Sequence, residues 1–542
     1  MTIRFSPTVL AAAIGLACGP AFAADSNEDA VNKALEAAAS LVKSGDPAPK
    51  APSPRFKPTT GCEAVKGYDP DWASHGDNYG LNRKTPKASP DGELHEYVWG
   101  FYQMREHEGT LYAAFGGHSA KGSTPGAVLA FDADTFTLKK AIRLPFATHA
   151  LALSNDGKRM VATHTAANAF SLINLEDGSA TCHRPDTTVD GLEHKGRYVE
   201  LDEQGNFYIN YNVFTGQSGG MVMKYTPDGQ HASDFDVNIT EKGGMVIPLK
   251  YHDGKLYTGN HGLKAVDAKT GEVSSLGESS QDNNFYNYIP GPGGTLLGSN
   301  YNAAAHPNMV VIDPATGEHR SEIFTALNTV ELGWVPEARQ VFGTNYESHT
   351  LSVAMLSDEG EFVPGEFANI VLDGEAATLQ TRRTHKGTDV FVAVKHWEPR
   401  ANLIRGARLH RIHIAPKVQG VEGLARRGAC TITTFDMRTR KLSRPVACKI
   451  LDSKQSMKQA RKDIERVIAD IRKDQQRAQA RVAKMRAEIV RAERRAGETP
   501  DAETQAKIAR QKEEAESYGH WLKYLGKNLR SAEAGRERLQ QM

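Results

Sequence analysis

Amides, phenols and imidazoles recur along this chain at intervals of 40 to 50 residues. Aligning seven similar segments places Phe115, His164, Tyr211, Asn260, Asn300, Asn345 and Lys395 in one column. Gly116, Thr165, Asn212, His261, Tyr301, Tyr346 and His396 form the next, and Glu347 and Trp397 follow closely. Such side chains donate and accept hydrogen bonds, and Tyr or Trp can stack on a planar ligand. If the segments are arranged radially, these ends gather on one face as a polar ring with few fixed charges. The competing account is structural: Asn is a common turn former and can satisfy loop backbone.

Most catalytic patterns fail. Gly216-Gln-Ser-Gly-Gly220 matches G-x-S-x-G, but it falls in a loop between strands and not at a strand-to-helix elbow. There is no C-x-x-C-H for covalent haem and no P-loop string. Among 19 histidines, His410 and His413 are the closest pair, yet an i, i+3 pair on a strand points to opposite faces. No cofactor is expected, although histidines from different blades could still share a metal.

The elements that position the columns are short strands. The second strand of each unit begins near Leu111, Met160, Phe207, Leu256, Leu296, Val341 and Phe391. A third strand runs into Asp or Asn and a turn, as in Val128-Leu-Ala-Phe-Asp132, Phe170-Ser-Leu-Ile-Asn174, Leu263-Lys-Ala-Val-Asp267 and Met309-Val-Val-Ile-Asp313. Ala268-Lys-Thr-Gly271 and Pro314-Ala-Thr-Gly317 are near copies. Seven such units read as a seven-bladed, all-β propeller over residues 61–450. In the last unit either Leu409–Ile414 or Thr431–Asp436 could be the third strand; the second fits the repeat better.

From Ser453 the pattern becomes helical. Ile464, Ile471, Ala478, Met485 and Ala492 recur every seven residues, with Ile468, Gln475, Val482, Ile489 and Ala496 four behind. After Gly497-Glu-Thr-Pro500 a second series follows: Ile508, Ala515, Leu522, Leu529 with Gln511, Tyr518, Leu525, Ala532. This predicts a C-terminal α-helical, coiled-coil-like antiparallel hairpin over residues 453–542, with pairing between chains as the alternative.

The blades resemble YVTN repeats, and the order of features resembles the YncE-like periplasmic seven-bladed propellers. The likeness is carried by Tyr102-Gln-Met104, Gly109-Thr-Leu-Tyr112, Gly126-Ala-Val-Leu129, Ala150 to Gly157 and Asp267 to Gly271. It covers roughly residues 95–450 and specifies architecture better than activity. It implies a cell-envelope role, beside a TonB-dependent outer-membrane uptake system.

Export is read from the first residues. Arg4, the apolar run Val9–Cys18 and Ala21-Phe-Ala23 form a secretory signal peptide (1–23) with cleavage before Ala24. A lipoprotein reading through Cys18 is poorer, because Gly15 stands where Leu is wanted. No later run is long enough to span a bilayer, so a soluble periplasmic product is expected. Residues 24–60 hold a short amphipathic helix and a Pro-rich linker. Four cysteines remain, allowing three pairings. The ends of a hairpin stretch would bring Cys430 to Cys448, and elimination then pairs Cys62 with Cys182.

Taken alone, the net charge of +1 argues against a polyanion binder. It is a cancellation. Residues 401–542 carry 33 Lys+Arg and 17 Asp+Glu, a net of +16, which leaves −15 for residues 1–400. Arg461, Lys462, Arg466, Arg472, Lys473, Arg477, Arg481, Lys484, Arg486, Arg491, Arg494 and Arg495 line the first helix. They are either a solvated face or a handle for an anionic surface such as lipid, cell wall or nucleic acid. They could also draw the hairpin back onto the acidic disc. The leading functional expectation is a non-catalytic periplasmic propeller that binds a small ligand or an envelope protein on its polar face, with the hairpin for docking or oligomeric assembly. The alternatives are a bare assembly scaffold and a propeller-type enzyme, a lactonase or a metal or quinone oxidoreductase subunit, with Glu347 and His396 as acid and base.

Overall fold

The repeated third strand closes its own turn. Asp267 Oδ1 accepts the amides of Lys269 and Thr270 at 2.9 and 2.7 Å, and Asp132 Oδ1 does the same for Asp134 and Thr135. Gly271 and Gly317 then turn the chain at φ +75° and +78°, where a Cβ is strained. At Gly317 a Cβ would also stand 2.4 Å from the carbonyl carbon of Leu276 in the neighbouring blade. Gly317→Ala should therefore cost about 1–3 kcal/mol. A melting temperature unchanged from wild type would contradict this account of the turn.

The protein is described here from a computed structural model. The structure describes Cys62 and residues 101–115, 126–165, 167–189, 192–212, 220–239, 248–277, 283–301, 306–398, 403–416, 418, 420–436, 441–496 and 501–542. The signal-peptide segment, the Pro-rich linker and Ser218 lie outside them.

Seven antiparallel sheets follow one another, each built on four consecutive strands, and a two-stranded ladder of Thr188–Val189 with Leu192–Glu193 lies between the second and third. Blade one is Phe101–His107, Thr110–Phe115, Gly126–Asp132 and Leu138–Leu144; blade two is Leu151–Leu153, Arg159–His164, Ala169–Asn174 and Ala180–His183. Blade three is Lys195–Leu201, Phe207–Asn212, Gly220–Tyr225 and Val237–Ile239; blade four is Leu249–His252, Lys255–Thr258, Leu263–Asp267 and Val273–Leu276. Blade five is Phe285–Pro290, Leu296–Asn300, Met309–Ile312 and His319–Ile323. Blade six is Thr329–Val335, Gln340–Asn345, Thr350–Leu356 and Phe362–Val371, extended by Ile450–Leu451. Blade seven is Glu375–Thr384, Gly387–Glu398, Leu403–Ile414 and Cys430–Asp436, with Lys441–Leu442 and Val446–Ala447 on its edge. All seven second strands contain the expected starting residue. The first strands of successive blades pack against each other and so form the channel wall.

The last blade corrects one expectation. Leu403–Ile414 is its third strand and Cys430–Asp436 its fourth. Gly387–Glu398 and Leu403–Ile414 pair along most of their 12 residues, which consumes the inner edge that Thr431–Asp436 would have needed. His410 and His413 take separate partners on this strand, Asp373 and Asp389, at 2.9 and 2.8 Å.

Both expected disulfides are present, Cys62–Cys182 and Cys430–Cys448. The tail is a hairpin of α1 (Ser453–Ala496) and α2 (Ala502–Gln541), with Asp501 Oδ1 capping the Thr504 amide at 2.7 Å. Ile464, Ile468, Ile471, Ala478, Val482, Met485 and Ile489 bury their side chains with Ala515, Leu525, Ala532 and Leu539. Among the described residues no helix is long and apolar enough to cross a membrane.

Candidate functional site

Five of the seven first strands slip register at the same height. The residues inside these bulges are Tyr102 and Gln103, Arg197 and Tyr198, Tyr286, Val330 and Glu331, and Ala377. A bulge leaves an amide without its ladder partner and re-aims a side chain. Here the second strand supplies the missing acceptor: Asn210 Oδ1 takes the Tyr198 amide at 2.7 Å, and Thr344 Oγ1 the Glu331 amide at 3.0 Å. Thr163 Oγ1 does the same for Ala150 at 3.1 Å in blade two.

The re-aimed side chains form a chain around one mouth of the channel. The Tyr102 ring stacks on His149 at 5.3 Å, and His149 meets Tyr198 edge-on at 5.5 Å. Arg197 lies over both Tyr198 and Tyr286, 5.6 Å from each centroid, and its Nη2 donates to the Tyr286 hydroxyl at 2.7 Å. Tyr286 continues to Tyr301 at 5.4 Å and Tyr301 to Tyr346 at 6.5 Å. Burial, and then the charge of Glu375 at the start of blade seven, push the Tyr346 phenol well up. Blade interiors use phenylalanine, for example Phe115, Phe131 and Phe391. The mouth uses aromatic rings that carry a polar atom, which can pack and hydrogen-bond at once. All but Tyr102 are buried, so the mouth is closed in this structure.

Below it the channel is charged, unlike the expected ring of few fixed charges. Arg105 of blade one reaches Glu200 of blade three at 3.4 Å, and Lys250 of blade four reaches the same carboxylate at 2.8 Å. Glu331 accepts from Asn287 Nδ2 at 2.9 Å; burial pushes its carboxyl up to about 7, against the pull of Arg105 and Lys250. The sequence did carry a signal for two of these: Val-Glu-Leu occurs at 199–201 and again at 330–332, a charge inside an apolar strand.

The strand-end columns divide. Asn260 donates to Asn284, Asn300 accepts the Asn284 amide, and His261 meets the Asn283 carbonyl. Asn345 binds Thr329, Thr350 and Ser352. His164 contacts Ser171 at 2.8 Å and is held neutral, its pKa pushed down to about 4 by burial. Tyr211 shares a 2.7 Å hydrogen bond with Tyr225, and Asn212 is buried at the end of its strand. Asn260, Asn300 and His261 thus tie their strands to the connection at 283–284, and Asn345, His164 and Tyr211 tie theirs to neighbouring strands. Among the described residues of the columns, only Tyr301 and Tyr346 join the aromatic chain. Lys395, His396 and Trp397 lie on the strand Gly387–Glu398, but their side chains fall outside the described residues. Glu347 is taken up in a contact with α1, whose Arg466 Nη2 donates to the Glu347 carbonyl at 2.6 Å. Among the described residues no group of three potential metal ligands is found.

This architecture defines a seven-bladed β-propeller with a C-terminal helical hairpin. No protein-family model matches the chain, and no curated protein matches it. Among solved structures, a virginiamycin B lyase from Staphylococcus aureus is 12% identical, with TM-score 0.40 over 54% of this chain and 92% of that one. The dihydro-heme d1 dehydrogenase NirN in complex with DHE is 11% identical, with TM-score 0.40 over 69% and 78%. A chain of the mitotic checkpoint complex is 11% identical, with TM-score 0.41 over 64% and 93%. The propeller assignment rests on the seven consecutive sheets, and no activity passes from these chains to this one.

Proposed function

We propose that this chain is a non-catalytic, periplasmic binding propeller that takes a small planar or polar ligand, or an envelope-protein side chain, at the bulge-lined mouth. The observation that carries the proposal is the convergence of bulged Tyr102, Arg197, Tyr198 and Tyr286 with Tyr301 and Tyr346. Stacking faces, hydroxyls and one buried guanidinium together suit a flat ligand with hydrogen-bonding edges. The YncE-like resemblance and the two disulfides support placement in the envelope, and a TonB-dependent uptake partner remains the family-level expectation. The basic hairpin is the proposed docking element for an anionic surface. Glu347, one of the two acid/base candidates of the enzyme alternative, sits in the hairpin contact.

The test is a thermal-shift screen of the full chain against planar aromatic and heteroaromatic compounds. A ligand present at 100 times its Kd should stabilise by about 2.7 kcal/mol. The expected result is a shift that Tyr301→Ala abolishes while far-UV circular dichroism stays unchanged. Shifts that survive in both Tyr301→Ala and Tyr286→Ala would place the ligand elsewhere.

A further inference from the structure

The first half of α1 lies on the propeller face at blades five and six. Phe324 and Leu327, in the connection between those blades, share one apolar cluster with Ala460, Ile464 and Val467. Beside it, Asp463 accepts from Gln459 Nε2 at 3.0 Å and pairs with Arg466 at 3.1 Å, and Arg466 holds the Glu347 carbonyl. Under this contact the Glu347 carboxyl is 0% exposed, and neither of its oxygens has a hydrogen-bond partner. Its neighbours are Glu375 of blade seven, also fully buried, and Arg466, Asp463 and Asp470 of α1. Tyr346 precedes it on the turn and His349 follows two residues on.

A carboxylate ionised in such a place has no donor to receive and a second carboxylate opposite it. A carboxylic acid avoids both penalties. Once the hairpin lifts, water reaches the turn and the same group ionises freely. We propose that Glu347 is a proton-operated latch, which holds the hairpin on the propeller face while protonated and releases it when ionised. The hairpin thereby controls access to the face that carries the mouth. The latch stands on the docking contact alone, whether or not a ligand binds at the mouth.

The sign follows from linkage. Burial and Glu375 push the Glu347 carboxyl up to about 8, from an ordinary 4.5. A group with a raised native value favours the docked form at low pH and withdraws that support as pH rises through the window. His349 is pushed down to about 4, by burial and Arg466, so it is neutral while docked and opposes the latch by only about twofold at pH 6.5, fading above it. Loss of one proton from Glu347 changes the docking constant roughly tenfold per pH unit well below its docked value and less as pH nears it, which amounts to about 25-fold between pH 6.5 and 8.5. Asp463 is shifted up as well and acts in the same direction. Asp474, buried with Arg477 in the hairpin, is pushed up to about 7 and needs a control.

The experiment is amide exchange of the full chain at pH 6.5 and 8.5, corrected for intrinsic rates. It reads protection at residues 324–328, 346–349 and 457–470. Wild type should lose roughly 10- to 25-fold in protection there, while blade interiors stay constant. Glu347→Gln should keep its protection at both pH values, and Asp474→Asn should respond as wild type. Glu375→Gln leaves Glu347 in place but removes the opposing carboxylate, so its loss should be smaller than that of wild type. This second variant decides the matter if Glu347→Gln misfolds. A pH-independent wild type, a Glu347→Gln that loosens like wild type, a Glu375→Gln that loosens fully, or a response abolished by Asp474→Asn overturns the latch.

Discussion

Phe131→Ala is expected to destabilise the propeller by about 3–5 kcal/mol, the large-to-small penalty for a fully buried aromatic. The reason lies in how the ring closes. Among the described residues, blades one and seven each use only their own consecutive strands, and no exchanged strand bolts the first blade to the last. Closure instead depends on side chains. Phe101, Phe115, Phe131 and Phe136 of blade one share one cluster with Phe391, Leu409 and Phe435 of blade seven. Phe131 stands at its centre, edge-on to Phe435 at 5.1 Å and tilted on Phe136 at 5.8 Å. Arg382 of blade seven adds ion pairs to Glu106 and Asp134 at 3.3 and 2.8 Å, each worth little at a partly exposed seam. Calorimetry should show the loss, and Phe131→Leu should recover most of it by restoring volume. A cost below about 1 kcal/mol for the alanine variant would mean that the seam is held by something other than this cluster.

The blades were legible because their turns are local. Asp267 and Gly271, or Asp313 and Gly317, lie within five residues, and their types alone dictate an Asx turn and a positive φ. The hairpin was legible for a similar reason, since a seven-residue apolar period has one meaning over 40 residues. The site was less so. Aligning strand ends selects positions beside connections, and there Asn260, Asn300 and Asn345 do what asparagine commonly does at a chain reversal. The mouth is instead built on bulges, and a bulge is a property of two strands in register. Gln103 beside Tyr102, or Arg197 beside Tyr198, gives no periodic sign of it. Glu347 was marked as polar and near the ring, but its partner Arg466 lies 119 residues away on a helix whose placement no local pattern encodes. The order of the last two strands failed for a related reason: a threonine-containing turn imitates the repeat, while strand pairing decides the order.

Removing the Cys62–Cys182 disulfide is expected to have the other large effect. It ties residue 62 to the outer strand of blade two and closes a loop with a sequence separation of 120, which includes all of blade one. Cys430–Cys448 closes a separation of only 18. In the chain-entropy account, stabilisation grows with the logarithm of loop length: about 3 kcal/mol for the short loop and about 4.7 for the long one, a gap near 1.7. Cys62→Ser with Cys182→Ser should therefore lower stability by about 4–5 kcal/mol, more than Cys430→Ser with Cys448→Ser. Cys62 and Cys182 also pack with Phe146, Ala167 and Ala169, so the serine pair places two hydroxyls in an apolar site. A Cys62→Ala, Cys182→Ala pair separates this packing contribution from the tether. Guanidinium titration of the three double variants decides between the accounts. If the short-loop variant loses more than the long-loop one, chain entropy is not the governing term. In that case the tether's value lies in where it anchors the chain beside blade two, and it should then appear in the unfolding rate, since a contact made after the transition state slows unfolding without changing folding.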